Sequence, residues 1–433
     1  MPRDKVVVGI DVGTSKVATI IATCPPDEPI NVIGVSSVPS RGLRKGQVVD
    51  IEEAVGVISR SLEEAERMAG YSVGSAFVSI GGSHIASENS RGVVAVAEPD
   101  KEITPSDVDR VIEAAKAISL PSSREILHVL PRGYTVDGQE GIKDPMGMTG
   151  VRLEAETHIV STSTTATRNL AKCLDEVGVD VESLVFGGLA SSEAVLSETE
   201  RELGVILVDI GGGTTDICLY TEGGVAYSSV LPVGAKNITS DLAIGLRVSL
   251  ESAEKIKLFL GKKPKTAVLP EDQIIREETR IGKDEKDVDL KNLDLPEGLE
   301  KVSQKMLTEG IIKPRLNEIF TMVALEIKKS GFGGLTPSGV VVTGGGAETV
   351  GVIEAAKRIL AMPVRLGLPT GMTGLIDEIQ NPLFSTALGL VAYGRKADFM
   401  EKKVAFVGFP KISHVPVKGA MKKVVDFVKS FLP

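Results

Sequence analysis

The sequence predicts an α/β fold of two related domains that face one cleft, and three glycine turns predict it. Val208-Asp209-Ile210-Gly211-Gly212-Gly213-Thr214-Thr215-Asp216 follows an apolar run from Val205 and leads into Ile217-Cys218-Leu219-Tyr220. That pattern is strand, tight turn, strand. Near the N-terminus stands Val6-Val7-Val8-Gly9-Ile10-Asp11-Val12-Gly13-Thr14-Ser15-Lys16-Val17-Ala18. Aligning Asp11 with Asp209 puts Gly13 on Gly211, and apolar strands flank both turns. The third turn, Gly344-Gly345-Gly346, follows the buried strand Val340-Val341-Val342-Thr343. A repeated hairpin implies a repeated domain. Two such domains face to face set their hairpins across one cleft, with the third turn as its floor.

The residue types give the cleft a chemistry. Glycines let a backbone come close to a ligand, and their converging N–H groups form an anion-binding concavity. Asp209, with the hydroxyls of Thr214 and Thr215, stands where Mg²⁺ and its water shell could be held beside a phosphate. Asp11 has the same place in the first copy. An ordinary Gly-rich hairpin turn explains one such motif, but not two matching ones and a third glycine turn.

Further stretches extend the pattern: residues 40–46 (Ser-Arg-Gly-Leu-Arg-Lys-Gly), 80–85 (Ile-Gly-Gly-Ser-His-Ile), 150–155 (Gly-Val-Arg-Leu-Glu-Ala), 189–196 (Leu-Ala-Ser-Ser-Glu-Ala-Val-Leu) and 253–257 (Ala-Glu-Lys-Ile-Lys). With the two hairpins they resemble the actin/Hsp70/sugar-kinase ATPase superfamily, and within it the bacterial actin-like cell-division proteins. The resemblance implies an actin-like ATPase fold: two duplicated ribonuclease-H-like domains around a nucleotide cleft, an inserted α+β subdomain and a C-terminal amphipathic helix. It implies ATP and Mg²⁺ as cofactors. Gly13, Thr14, Ser15, Lys16, Gly211, Gly212, Gly213, Thr214, Thr215, Gly344, Gly345 and Gly346 then contact phosphate. Asp11 and Asp209 hold the metal, through water. Gly234 precedes an adenosine motif in which Glu254 meets the ribose hydroxyls and Lys257 lies along the adenine. Without the resemblance, Glu254 and Lys257 read as a surface ion pair at helical spacing.

The resemblance also bears on catalysis. In the superfamily a Gln or Glu near the start of one helix positions the attacking water. The matching place here is Gly187 or Gly188, which offer no side chain, so hydrolysis is expected to be slow.

Composition narrows the alternatives. The chain has 433 residues, 42% hydrophobic and 25% charged, enough for several domains with a large core. Aromatics make up 4%, Trp is absent, and the net charge is −9. These values disfavour base-stacking surfaces and nucleic-acid binding. Cys24, Cys173 and Cys218 are isolated, which fits a reducing compartment better than a disulfide framework. His84, His128, His158 and His414 show no metal-ligand spacing. The first residues run straight into a strand, so no signal peptide is expected, and no apolar run approaches the roughly 20 residues of a membrane span.

The elements follow in order. Residues 1–82 form the first domain, with a crossover helix over 51–69 ended by Gly70 and a strand over 77–80. Residues 83–161 are an inserted α+β subdomain. Its strands cover 93–97, 126–130, 133–136 and 154–161, and its helix starts at Thr104-Pro105 as cap and first residue. The resemblance makes this subdomain a contact for neighbouring subunits and other division proteins. Residues 162–200 and 365–394 continue the first domain: a helix over 165–176, a strand over 181–186, a small-residue helix from Gly187, and a final helix over 381–394. The last two can cross closely as a pivot. Residues 201–364 form the second domain, with 236–312 as its outer part. Here one helix is expected over 240–261, a mobile strand-and-loop region over 262–300, a helix over 306–330 interrupted near Pro314, a helix over 352–360 and a strand over 364–366. The resemblance assigns the C-terminal peptide of the tubulin-like protein FtsZ to the outer part.

The tail reads differently. Residues 395–418 lack a sustained period and read as a linker. Beyond them Met421, Val424, Val425, Val428, Phe431 and Leu432 share one helical face, with Lys422 and Lys423 off it. Residues 418–433 carry four lysines and one aspartate, opposite in sign to the whole chain. Such a helix over 419–433 can lie on anionic lipid, apolar face inward; docking back onto the protein is the plainer alternative.

The sequence reading is thus an ATP-binding protein that polymerises on the cytoplasmic face of the bacterial inner membrane and tethers a division ring. The alternatives are a pilus-assembly adaptor and a small-molecule phosphotransferase of the same superfamily. The phosphotransferase needs a catalytic Asp in an acceptor pocket, for which the first domain offers no candidate. An Hsp70-like chaperone needs a substrate domain that the few residues after Gly394 cannot form.

Overall fold

A computed structural model of the chain describes residues 5–25, 28–96, 102–261, 287–375 and 379–403. The described residues up to Arg395 pack as one unit. Among the described residues the first sheet has six strands, in the order Asp180–Phe186, Ser75–Ile80, Lys5–Val12, Lys16–Cys24, Ile30–Pro39 and Met372–Gly374. Another has five: Gly224–Leu231, Thr215–Thr221, Val205–Ile210, Val340–Thr343 and Val364–Leu366. Each places its glycine hairpin centrally. The hairpin strands pair antiparallel, a third strand extends one side antiparallel, and two parallel strands extend the other. This shared order is the duplication that the two Asp-x-Gly motifs predict. The strands at the centre carry near-continuous apolar runs because both faces are covered.

Helix Ile51–Ala69 starts and stops where expected. The Asp50 carboxylate accepts from the Glu53 amide, and Gly70 takes the left-handed conformation (φ 62°) at its end. The inserted subdomain is a four-stranded sheet, Ala86–Ala95, Arg152–Ser163, Arg124–Val136 and Gln139–Ile142, covered by helix Pro105–Lys116. The two short strands expected over 126–136 are one strand, with shifts of register at two points along its partner. This subdomain leans on the second domain: Asn89 Nδ2 donates to the Ala226 carbonyl (3.0 Å) and His158 Nε2 pairs with Ser228 Oγ (2.8 Å).

Two helix expectations are corrected. The helix over 240–261 is two helices, Ala235–Leu246 and Leu250–Gly261. Arg247 breaks them apart with φ 57°, a left-handed turn that the apolar spacing on either side conceals. The last helix, Ser385–Lys403, extends nine residues past 394 into what reads as a linker. Pro314 does mark a change of winding, from the wide turns of Met306–Ile312 to the α-helix Lys313–Ser330. The expected domain boundary at 364 falls inside the edge strand Val364–Leu366. Of the expected strand-and-loop region, 262–286 lie outside the described residues; beyond them stands a small hairpin, Asp287–Asp289 with Lys301–Ser303. The tail helix and Met421, Lys422, Lys423, Val424, Val425, Val428, Phe431 and Leu432 also lie outside them.

Helix Gly187–Val195 and helix Ser385–Lys403 cross at the middle of a core shared by both domains. A Cβ on Gly389 would sit 1.8 Å from the Ala190 carbonyl oxygen, so the backbones are in direct contact.

Candidate functional site

The two hairpin tips are built alike. In the first, the Gly13 amide donates to the Lys16 carbonyl (3.0 Å); in the second, the Gly211 amide donates to the Thr214 carbonyl (2.9 Å). They face each other. A Cβ added to Gly212 would lie 1.8 Å from Ser15 Oγ, so only glycine lets the tips come this close. The third turn closes the floor. Gly344 has φ 83°, and a Cβ there would fall 2.1 Å from Asp209 Oδ1. Between these turns lies a cavity of about 320 Å³. A cradle of glycine backbones that any side chain would fill is the shape a polyphosphate needs.

Nearly every cleft residue that the sequence singles out lines this cavity: Asp11, the Gly13–Lys16 turn, Asp209, the Gly211–Thr214 turn, Glu254, Lys257 and the three glycines from Gly344. Two do not. Thr215 is fully buried, and its hydroxyl donates to the Val233 carbonyl (2.9 Å). Strand alternation explains this, since Thr214 and Asp216 take the cavity side and Thr215 the other. Gly234 supports the site from behind: a Cβ there would meet the Gly211 and Gly212 carbonyls at 2.6 and 2.7 Å. The following amides of Ala235 and Lys236 donate to those carbonyls (2.9 and 2.8 Å).

The carboxylates are held in place. Asp11 accepts from Lys16 Nζ (3.0 Å) and Ser79 Oγ (2.8 Å). Thr386 Oγ1 donates to Asp209 Oδ2 (3.1 Å). Burial pushes the Asp209 carboxyl up to about 6, opposed by hydrogen bonds from Ser191 and Thr386 and reinforced by Asp11. Burial, then Asp209 and Asp11, raise Asp216 well above the usual carboxylate range. A cation among these groups would relieve both burial and repulsion. Among the described residues no three acidic, His or Cys side chains converge as direct metal ligands.

Glu254 and Lys257 lie side by side in the cavity wall. Lys257 Nζ is buried and donates to Glu254 Oε2 (2.7 Å) and Thr239 Oγ1 (3.0 Å). Thr239 in turn donates to Glu254 (2.5 Å). The carboxylate is thereby fixed at the cavity edge, with its side chain 41% exposed.

Three groups were not assigned from the sequence. Residues 40–46 brace the first tip: the Gly46 amide donates to Thr14 Oγ1 (2.9 Å) and the Ser40 amide to the Ser15 carbonyl (3.0 Å). Lys236 reaches across the cleft, Nζ to the Thr14 carbonyl at 2.7 Å; only its place after Gly234 hinted at this. Asp216 lines the cavity at the end of the second motif, where the alternation of the strand could have pointed to it.

Two family models match the chain: an SHS2 domain inserted in FtsA over residues 82–161, and the cell division protein FtsA over 206–389. The curated cell division protein FtsA of Pseudomonas aeruginosa is 41% identical over 410 residues, covering 93% of this chain and 92% of that one. That of Borreliella burgdorferi is 42% identical over 387 residues (89% and 90%), and that of Escherichia coli K12 38% over 400 (91% and 91%). Among solved structures, a chain of the PilM–PilN type IV pilus biogenesis complex superposes with a TM-score of 0.62 at 15% identity, covering 90% of this chain and 98% of that one. MreB 5 of Spiroplasma citri bound to AMPPNP superposes with a TM-score of 0.54 at 13% identity (93% and 100%). These two likenesses are of fold alone.

Proposed function

This chain belongs to the FtsA family of cell-division proteins, and from that premise we propose that it binds ATP, polymerises on the inner face of the cytoplasmic membrane and tethers the FtsZ ring there. The observation that carries the nucleotide part is the pair of matched hairpin tips meeting over one cavity, with a glycine floor. The turn from Gly13 to Lys16 takes one side of the polyphosphate, the turn from Gly211 to Thr214 the other, and Gly344, Gly345 and Gly346 lie beneath it. Asp11 and Asp209 hold Mg²⁺ through water. A bound Mg²⁺ neutralises phosphate charge. Glu254 meets the ribose hydroxyls and Lys257 lies along the adenine. The nucleotide complex of the Spiroplasma relative, which shares the fold, supports this use of the cleft.

Lys236 and the crossed pivot helices couple the cleft to the rest of the molecule. The first hairpin belongs to one domain and Lys236 to the other, so its bond to the Thr14 carbonyl ties the two domains together across the cleft. ATP favours that closed form, and the closed form polymerises. The inserted subdomain, residues 83–161, meets neighbouring subunits and other division proteins. The outer part of the second domain, residues 236–312, receives the FtsZ C-terminal peptide. Residues 419–433 supply the lipid contact, and no helix among the described residues is long and apolar enough to cross a membrane. Hydrolysis is slow; turnover above roughly 1 per second, the low end for ordinary phosphoryl transfer, contradicts the reading.

The deciding experiment is electron microscopy on anionic lipid monolayers with ATP and Mg²⁺. Filaments are expected with the full chain and ATP, and none without nucleotide or after removal of residues 419–433. Filaments of equal density in all three conditions would defeat the proposal.

A further inference from the structure

One histidine of the inserted subdomain bears on the wall of the cleft. His128 is buried on strand Arg124–Val136, and its Nε2 accepts from the Phe186 amide (3.0 Å). Phe186 immediately precedes helix Gly187–Val195, and Gly187 lines the cavity. The amides at a helix start have no partner inside the helix, so a buried one needs an acceptor from elsewhere. His128 supplies it. Burial lowers the imidazole to about 4, so at neutral pH the ring is uncharged and keeps a lone pair for the amide.

The same helix start is held from the cavity side, where the Gly188 amide donates to the Asp216 carboxylate. The His128 ring also meets the Tyr393 ring of helix Ser385–Lys403, with centroids 6.1 Å apart. One side chain thus bonds the start of one crossed helix and packs on the other. Elsewhere the inserted subdomain grips the second sheet. His158 and Asn89 bond Ser228 and Ala226 of the five-stranded sheet, whereas Phe186 ends a strand of the six-stranded one. The subdomain is therefore a strap with polar attachments on both sheets, and a change in their separation has to strain one of them.

We propose that His128 is a positioning residue that couples the inserted subdomain to the occupancy of the cleft. It fixes the helix start beside the glycine cradle, so a ligand that orders this start also steadies the strand that carries His128. The coupling is reciprocal: whatever holds the subdomain in its docked place raises affinity for nucleotide by the same factor. A partner that binds the subdomain can in this way bias the cleft without reaching it. The inference rests on the nucleotide reading of the cleft.

The test uses the full chain with His128→Gln, His128→Leu and His128→Asn. Glutamine keeps an acceptor within reach of the Phe186 amide, leucine removes it, and asparagine is too short to supply it. Two quantities are measured: affinity for a fluorescent ATP analogue with Mg²⁺, and amide hydrogen exchange over residues 124–136 with and without ATP. In the wild type, ATP should slow exchange over this strand about fivefold or more, the low end of coupling between sites. His128→Leu should lose that response and bind ATP about fivefold more weakly, while His128→Gln should keep both. His128→Asn should follow leucine, and it carries the test if the leucine variant does not fold. A response to ATP that survives in the leucine or asparagine variant overturns the inference and leaves His128 a structural partner of the Phe186 amide. A glutamine variant as weak as leucine overturns it too, as does a wild type that binds ATP with unchanged exchange over 124–136. If the wild type binds no nucleotide, the reading of the cleft itself fails, and the inference with it.

Discussion

Gly344 carries one of the tightest constraints in the cleft, a left-handed φ with Asp209 directly above it. Gly344→Ala must either move Asp209 or strain the turn. The expected cost is about 2–4 kcal/mol of stability with loss of ATP binding, read by urea unfolding and nucleotide titration; binding at the wild-type level would show that the third turn is not part of the site. Glu254→Ala separates the two meanings of its ion pair. As a ribose contact its loss weakens ATP binding about tenfold, whereas as a structural pair with Lys257 it shifts melting and leaves affinity unchanged. Buried histidines add a pH dependence. Burial lowers His128 and His158 to about 4. The unfolded chain therefore binds more protons than the folded one between about pH 6.5 and pH 4, and stability falls as pH drops through that window. Asp209, raised to about 6, acts the opposite way, favouring the fold at acid pH and losing that contribution as pH rises through 6. His128→Gln keeps an acceptor for the Phe186 amide, which bonds His128 Nε2 at 3.0 Å. It should lose about 2 kcal/mol less than wild type between pH 7 and pH 5. Equal losses in thermal melts at the two pH values would show that His128 does not titrate as described.

At the scale of elements, what was legible in the sequence followed from local chemistry. The hairpins, the Asp50–Gly70 limits of the first crossover helix and the strand over 364–366 are written in apolar runs, caps and glycines, all of which act over a few residues. The break at Arg247 was not legible, because a non-glycine residue in the left-handed region leaves no compositional mark and the helices on either side continue one apolar pattern. Thr215 was misread because its neighbours made the motif look uniform, while strand alternation turns it away from the cavity. Lys236 was missed because its partner, the Thr14 carbonyl, is a backbone atom far away in the chain. The close crossing of helices Gly187–Val195 and Ser385–Lys403 was legible from their small residues, and it makes a prediction of its own. Gly389 touches the Ala190 carbonyl closely enough that a methyl cannot enter. Gly389→Ala should cost about 1–3 kcal/mol and hinder cleft closure, seen as a lower melting temperature with a smaller ATP-induced shift. An unchanged melt and an unchanged shift would mean the helices slide apart freely.

For the whole molecule, the proposed membrane binding links the cleft to the tail. The body of the protein is acidic overall, with a net charge of −9 for the chain, while residues 418–433 are basic and amphipathic. One short helix of the kind proposed for residues 419–433 would bind lipid only marginally, and anionic headgroups would repel the rest of the chain. The proposed filament would change this balance, because each added subunit would contribute another tail and the weak contacts would multiply through effective concentration. Membrane binding should therefore depend on ATP even though the tail is far from the cleft in sequence. In vesicle co-sedimentation, the full chain with ATP and Mg²⁺ should pellet with anionic vesicles far more than without nucleotide, and added salt should reduce the pelleted fraction. Removing residues 419–433 should abolish pelleting while leaving ATP affinity unchanged. Gly344→Ala should abolish the ATP dependence while leaving the weak basal binding of a single tail. Pelleting that survives tail removal, or that ignores nucleotide in the intact chain, would break the proposed link between cleft closure, polymerisation and the membrane.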